Sequence, residues 1–129
     1  MAKPSPKEDK RLTRVTEIAL ALPEVKREVH GSHATFLVRK KPFAYFLDNH
    51  HGDGIIGVTC KVLPGENKSL IEAQPQRFYA PAYVYSRGWV ALRLDRGRID
   101  WREVKELLLA SYVMIAPKRL AEQVGLNDV

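Results

Sequence analysis

The sequence predicts a single α+β domain in which an antiparallel β-sheet is covered by an amino-terminal and a carboxyl-terminal helix. Two stretches near the ends place apolar residues at three- and four-residue spacing, which marks one face of a helix. The middle of the chain alternates with a period of two between turns rich in glycine, proline and asparagine, which marks half-buried strands. Hairpin-like turns with the helices segregated to the ends argue against a parallel βαβ sheet.

Each element follows from its residues. Residues 1–8 are polar and carry two prolines, so a tail is expected there, then a domain over 9–124 and a second tail over 125–129. From Asp9 the chain turns helical, with Leu12, Val15, Ile18, Ala19 and Leu22 on one stripe, and Pro23 ends the helix. A link through Val25 and Val29 leads to a turn at Gly31. Thr35–Arg39 and Phe43–Leu47 read as two strands. Phe36 and Val38 lie on the core face of the first, and Phe43, Tyr45 and Leu47 share one face of the second. Lys40-Lys41-Pro42 connects them without glycine, which disfavours a primed two-residue turn. Asn49–Gly54 is a second turn, and Ile55–Val62 a strand with Ile56, Val58, Cys60 and Val62 on one face. A short helix opens near Pro64-Gly65-Glu66-Asn67, runs through Leu70, Ile71 and Ala73, and stops at Pro75.

Phe78–Tyr83 is an aromatic turn that Pro81 keeps from being helical. In Tyr85–Asp95 a glycine-bearing turn feeds a strand, with Val90, Leu92 and Leu94 toward the core and Trp89, Ala91 and Arg93 outward. Arg96-Gly97-Arg98 turns the chain again. Asp100 is the N-cap of the last helix, with Glu103 placed to complete a capping box. Val104, Leu107, Leu108, Tyr112 and Ile115 form its buried side. Pro117 interrupts it, and Leu120 with Val124 continues a last turn.

The 129 residues hold 21 Lys and Arg against 15 Asp and Glu, a net charge of +6. A basic balance favours polyanion partners, because lysine and arginine contacts to phosphates release counterions. No stretch approaches the roughly 18 apolar residues a membrane span needs. The charged N-terminus is unlike a secretory signal, and Cys60, the single cysteine, allows no internal disulfide. A cytoplasmic location is expected.

Several landmarks carry a family resemblance. Ala21-Leu22-Pro23-Glu24-Val25 ends the first helix, and a His30–His33 turn leads into Thr35-Phe36-Leu37-Val38 and Pro42-Phe43-Ala44. Val58–Val62 carries Lys61. Arg77-Phe78 precedes the aromatic turn and Arg87-Gly88-Trp89-Val90, and Tyr112 with Ala116-Pro117-Lys118-Arg119 closes the set. In order and spacing, over roughly residues 12–124, this resembles the MmcQ/YjbR family. Where that family commonly has glycine–lysine in the first hairpin turn, this chain has Lys40-Lys41. The resemblance implies a small α+β protein of a type labelled DNA-binding by analogy with winged nucleic-acid-binding modules. It supplies no catalytic motif.

Candidate contacts to nucleic acid or another anion are Lys40, Lys41, Arg77, Arg87, Trp89, Arg93, Lys118 and Arg119. Lys40-Lys41 at a hairpin tip and Lys118-Arg119 after Pro117 could touch a phosphate backbone, although solvation, protection of strand edges and support of a helix C-terminus are the more usual roles of such runs. Trp89, Tyr83 and Tyr85 beside Arg77, Arg87 and Arg93 combine aromatics with cations as single-strand binders do. They also combine them as a strand and its cover loop do when sealing a core. The expected function is weak nucleic-acid binding without strong sequence preference. The alternative is a module for a protein partner or small anionic ligand at an Arg87/Trp89 pocket.

His30, His33, His50, His51 and Asp53 have the chemistry of metal ligands but not the spacing: His30 and His33 sit in a turn, and adjacent His50 and His51 would point apart on a strand. Cys60, on an apolar face, reads as a structural thiol. No glycine-rich phosphate loop, nucleophile elbow or metal-binding helix is present. Neither catalysis nor a cofactor is expected.

Overall fold

The computed structural model describes residues 8–127, and of residues 125–127 the backbone alone. The tail expected over 1–8 lies, apart from Glu8, outside the described residues, as do 128–129 of the tail expected over 125–129, whereas the backbone of 125–127 is helical. The helices are α1 (Lys10–Leu20), α2 (Glu66–Ala73), α3 (Trp101–Ile115) and α4 (Lys118–Asn127). The strands are β1 (Val25–His30), β2 (His33–Val38), β3 (Lys41–Asp48), β4 (Ile56–Lys61), β5 (Phe78–Tyr79) and β6 (Trp89–Arg93). They form one sheet in the order β1-β2-β3-β4-β6-β5, antiparallel at every pairing.

The Asp9 carboxylate accepts the Arg11 backbone N–H at 2.8 Å and starts α1. Leu12, Val15 and Ala19 then bury its stripe. Asp100 caps α3 by accepting from the N–H groups of Arg102 and Glu103. The capping box is only half formed, because the Glu103 carboxylate turns instead to Arg77. Val104, Leu108 and Tyr112 of α3 meet Phe36, Val38, Phe43, Phe46, Val58, Val90 and Leu92 in one core. The Tyr112 ring stands edge-on to Phe43, and its hydroxyl donates to the Pro23 carbonyl at 2.8 Å, tying α3 to the exit from α1. After Pro117 the chain forms the full helix α4, not a single turn, and buries Leu120.

Four departures from the sequence pattern shape the sheet. Where a link was expected, Val25–His30 is an edge strand, paired from Val25↔Val38 to His30↔His33 around Gly31 and Ser32. The next hairpin turns at Arg39 and Lys40, both left-handed at φ 50° and 69°, which is the primed geometry that the missing glycine disfavoured. A bulge opposite Phe36 and Leu37 gives β3 an extra residue. Phe43, Ala44 and Phe46 consequently face the core, and Tyr45 and Leu47 the opposite side.

The fourth departure concerns that opposite, outer face. Trp89 and Ala91 were expected to point to solvent, yet they are buried, as are Gly57 and Thr59 beside them. The Asn49–Gly54 turn and the 80–88 loop cover this half of the sheet and meet where the rings of His51 and Tyr83 lie 5.5 Å apart. The other half, over β1, β2 and β3, is open.

At the seam between α3 and the sheet, Ser111 is fully buried. Its Oγ accepts the Lys61 N–H at 3.0 Å and donates to the Phe43 carbonyl at 2.6 Å. It stands where the next rung of the β3–β4 ladder would fall, beyond Ala44↔Cys60.

Candidate nucleic-acid interface

The register brings one set of cations to a single end of the sheet. Ala44, Cys60 and Val90 are aligned across β3, β4 and β6. The Arg39–Lys40 turn, Lys61 at the end of β4, and Trp89 at the start of β6 therefore share that end. A two-carboxylate-oxygen fork from Glu24 grips the Arg39 guanidinium and braces the turn against the start of β1. The hydrogen bond from Arg39 holds the Glu24 carboxyl below its usual range, and the positive charge of Arg119 acts in the same direction, which sets Arg119 near this end too. Lys40 and Lys41 are exposed and have no ion-pair partner among the described residues. Lys40 lines an open groove of about 560 Å³ with Lys26, Glu28 and Leu37. Lys118, also exposed, lies 3.8 Å from Glu122 one turn along α4.

The Arg87 loop is built from α2 outward. The Asn67 side chain, itself buried, donates from Nδ2 to the carbonyls of Tyr85 at 3.0 Å and Trp89 at 3.2 Å. Tyr85–Arg87 forms one 3₁₀ turn, and Gly88 at φ 90° takes a left-handed step that glycine makes without a Cβ penalty. Its carbonyl then accepts the Val62 N–H at 3.0 Å. Trp89 enters the sheet and packs on Tyr45, ring centroids 5.5 Å apart. Burial pushes the Tyr45 hydroxyl up from its ordinary pKa, and the Arg87 charge opposes it, so the guanidinium bears on this aromatic pair. The Arg87 side chain is exposed, and its guanidinium has no hydrogen-bond or ion-pair partner among the described residues.

The eight candidates thus divide. Lys40, Lys41, Arg87 and Trp89 gather at the basic end, with Arg119 and its neighbour Lys118 on α4 nearby. Trp89 is 6% exposed, which agrees with the reading of this aromatic as a seal and not with an open indole in a ligand pocket. Arg93 and Arg77 lie elsewhere. Arg93 pairs across from Gly57 at the opposite end of β4 and forks onto Asp95 at 3.0 and 2.9 Å. Arg77 binds Gln74 and Glu103. In the sequence the Arg93–Asp95 pairing shows only as opposite charges two residues apart at a strand end, and Arg93 reads there as a free contact. Tyr45 and Lys61 were overlooked; only the bulge, which the alternation conceals, puts Tyr45 on this face.

The remaining candidates have other surroundings. His50 and His51 occupy a 3₁₀ turn inside the expected Asn49–Gly54 turn, and their rings lie 4.0 Å apart. Burial first, then the neighbouring imidazoles, pushes His50 down from its ordinary pKa. His33 Nε2 is 2.8 Å from the Asp48 carbonyl. No group of three metal-ligating side chains occurs among the described residues. Burial raises the Cys60 thiol to about 12, which leaves it un-ionised and inert as a nucleophile. No helix among the described residues is long and apolar enough to cross a membrane.

A bulged antiparallel sheet with helices on one face and a basic loop end is a compact α+β architecture, and it has known relatives. The chain belongs to the YjbR family, whose model matches residues 20–114. Its fold is similar to the crystal structure of Deinococcus radiodurans protein DR2400, a DUF419 domain, with a TM-score of 0.67 at 20% identity over 88% of this chain and 87% of that one. No curated protein matches the chain.

Proposed function

We propose that this YjbR-family domain binds nucleic acid, weakly and without strong sequence preference, through the basic end of its sheet. The observation that supports the reading most is Arg87: exposed, free of any acidic partner among the described residues, and at the same end as the unpaired Lys40 and Lys41. Arginine and lysine placed this way meet phosphates, and phosphate contacts carry affinity without reading bases. Lys40, Lys41 and Arg87 lie on turns and a strand end rather than on a helix, so a helix-to-groove contact has less support.

The test is a salt titration of binding to labelled mixed-sequence oligonucleotides. Three phosphates neutralised by Lys40, Lys41 and Arg87 give a log–log slope of about −2.7 on duplex and about −2 on single strands. Lys40→Glu with Lys41→Glu should weaken binding to all sequences alike and flatten the slope by about 1.4 to 1.8. Lys105→Glu, on the helical side, should change little. Absence of binding at low salt, or a slope indifferent to the double reversal, would falsify the reading. A small-anion site at Arg87 would instead show as phosphate binding abolished by Arg87→Ala with no oligonucleotide affinity.

A further inference from the structure

Tyr83 is 77% exposed, the most exposed large hydrophobic side chain among the described residues, while Trp89, Tyr112 and the core phenylalanines are buried. Its backbone is left-handed at φ 68°, a conformation uncommon for any residue and an outlier for a bulky one. The residue whose ring it touches, His51, is left-handed as well, at φ 56°. Strain of this kind persists only where the surroundings over-determine it, and it clusters at sites of function.

The loop does over-determine it. Tyr85 N–H bonds the carbonyl of buried Pro81, Val84 N–H that of Ala82, and Trp89 N–H that of Val84. Asn67 clamps the far end. The ring is therefore held out in solvent by a fixed frame. Its contact with His51 is near-perpendicular, at 70°, and occupies at most one of its two faces. Four residues on, the same loop presents the unpaired Arg87.

An open aromatic face and a free guanidinium on one loop match the two recurring surfaces of a single strand, a base π-face and a phosphate. In a duplex the base faces are stacked on one another and closed to such a ring. Resting on the nucleic-acid reading above, we infer that Tyr83 is a base-stacking platform, and that the preferred partner is single-stranded rather than duplex nucleic acid.

The experiment uses the full chain and a 12-nucleotide single strand carrying a central 2-aminopurine, with the matching duplex for comparison. Binding should quench the probe, and the single strand should bind more tightly than the duplex. Tyr83→Asn keeps a residue suited to left-handed backbone and removes the ring. It should lose the quench and weaken single-strand binding by about 5- to 150-fold, the range for one stacked base, with the salt slope unchanged. Tyr83→Phe should behave as the parent. Undiminished affinity and quench in Tyr83→Asn, or duplex bound as tightly as single strand, would overturn the inference. The broader reading would survive either result, provided binding still falls with salt and with the Lys40/Lys41 reversal. If no oligonucleotide binds at all, both fall together.

Discussion

Replacing Ser111 with alanine removes one oxygen from a fully buried position and should expose how α3 is joined to the sheet. A serine inside a helix commonly turns its hydroxyl back to its own preceding turn. This one bridges Lys61 N–H and the Phe43 carbonyl across two strands. In the variant both backbone groups lose their partner. A buried group left unsatisfied costs about 1–3 kcal/mol, with the carbonyl toward the low end because of its second lone pair. Alanine returns roughly 0.5 kcal/mol in helix propensity. The balance is a loss of about 1.5–3.5 kcal/mol, a large share of a typical domain's stability. Urea unfolding should show it as a lower midpoint with m unchanged. The Lys61 amide should lose hydrogen-exchange protection more than Val58 in the same strand. A cost below about 0.5 kcal/mol with Lys61 protection intact would refute the bridge, since the strands would then pair directly.

Four further outcomes follow from the two faces of the sheet and from the ion pairs. A Cβ at Gly57 would lie 2.7 Å from the Tyr79 hydroxyl and 3.0 Å from the Leu92 carbonyl, so Gly57→Ala should cost about 1–3 kcal/mol by thermal or urea unfolding. Tyr79→Phe removes a buried hydroxyl that has no partner and should be neutral or stabilising; combined with Gly57→Ala it should recover part of the loss, a coupling that a double-mutant cycle reads directly. Cys60, with its thiol raised to about 12, should resist a thiol reagent at pH 8 in the native protein and react once the chain is unfolded; rapid native labelling would contradict its burial. Asp9 and Asp95 are held below their ordinary value of 3.8, chiefly by hydrogen bonds from Arg11 and Arg93. Their contribution to stability is therefore complete above the unfolded pKa and lost as pH falls through the lowered folded values. Urea midpoints measured from pH 7 down to pH 2 should drop below about pH 4, and less steeply in Asp95→Asn.

The sequence exposes local physics well and long-range cover poorly. The stripe of α1, the Asp100 cap, the apolar side of α3 and the inward set Val90, Leu92 and Leu94 all follow from spacing, and the structure buries their core members as expected. The strand Val25–His30 escaped because an edge strand needs few apolar residues, and Val-Lys-Arg-Glu-Val-His supplies two. The bulge at Phe43 shifted the parity of β3, so Tyr45 landed opposite its expected face. Trp89 and Ala91 alternate like an exposed face, yet are covered by loops whose path depends on His51 meeting Tyr83. In the candidate site, Lys40 and Lys41 were legible as a turn tip. The capture of Arg77 by Glu103, 26 residues away, depends on tertiary placement that no periodicity records.

The turn at Arg39 and Lys40 carries one more consequence. A hairpin shaped by folding alone would place asparagine and glycine where two long cations here adopt left-handed backbone, with Glu24, itself at φ 60°, holding one of them. Charge and conformational ease are opposed at these two positions. A library randomised at residues 39 and 40 and challenged only with heat should converge on Asn-Gly, and the survivors should have less affinity for polyanions. The same library selected on an anionic column should return basic pairs with lower melting temperatures. The two selections would separate what the hairpin contributes to making the domain from what it contributes once the domain is made.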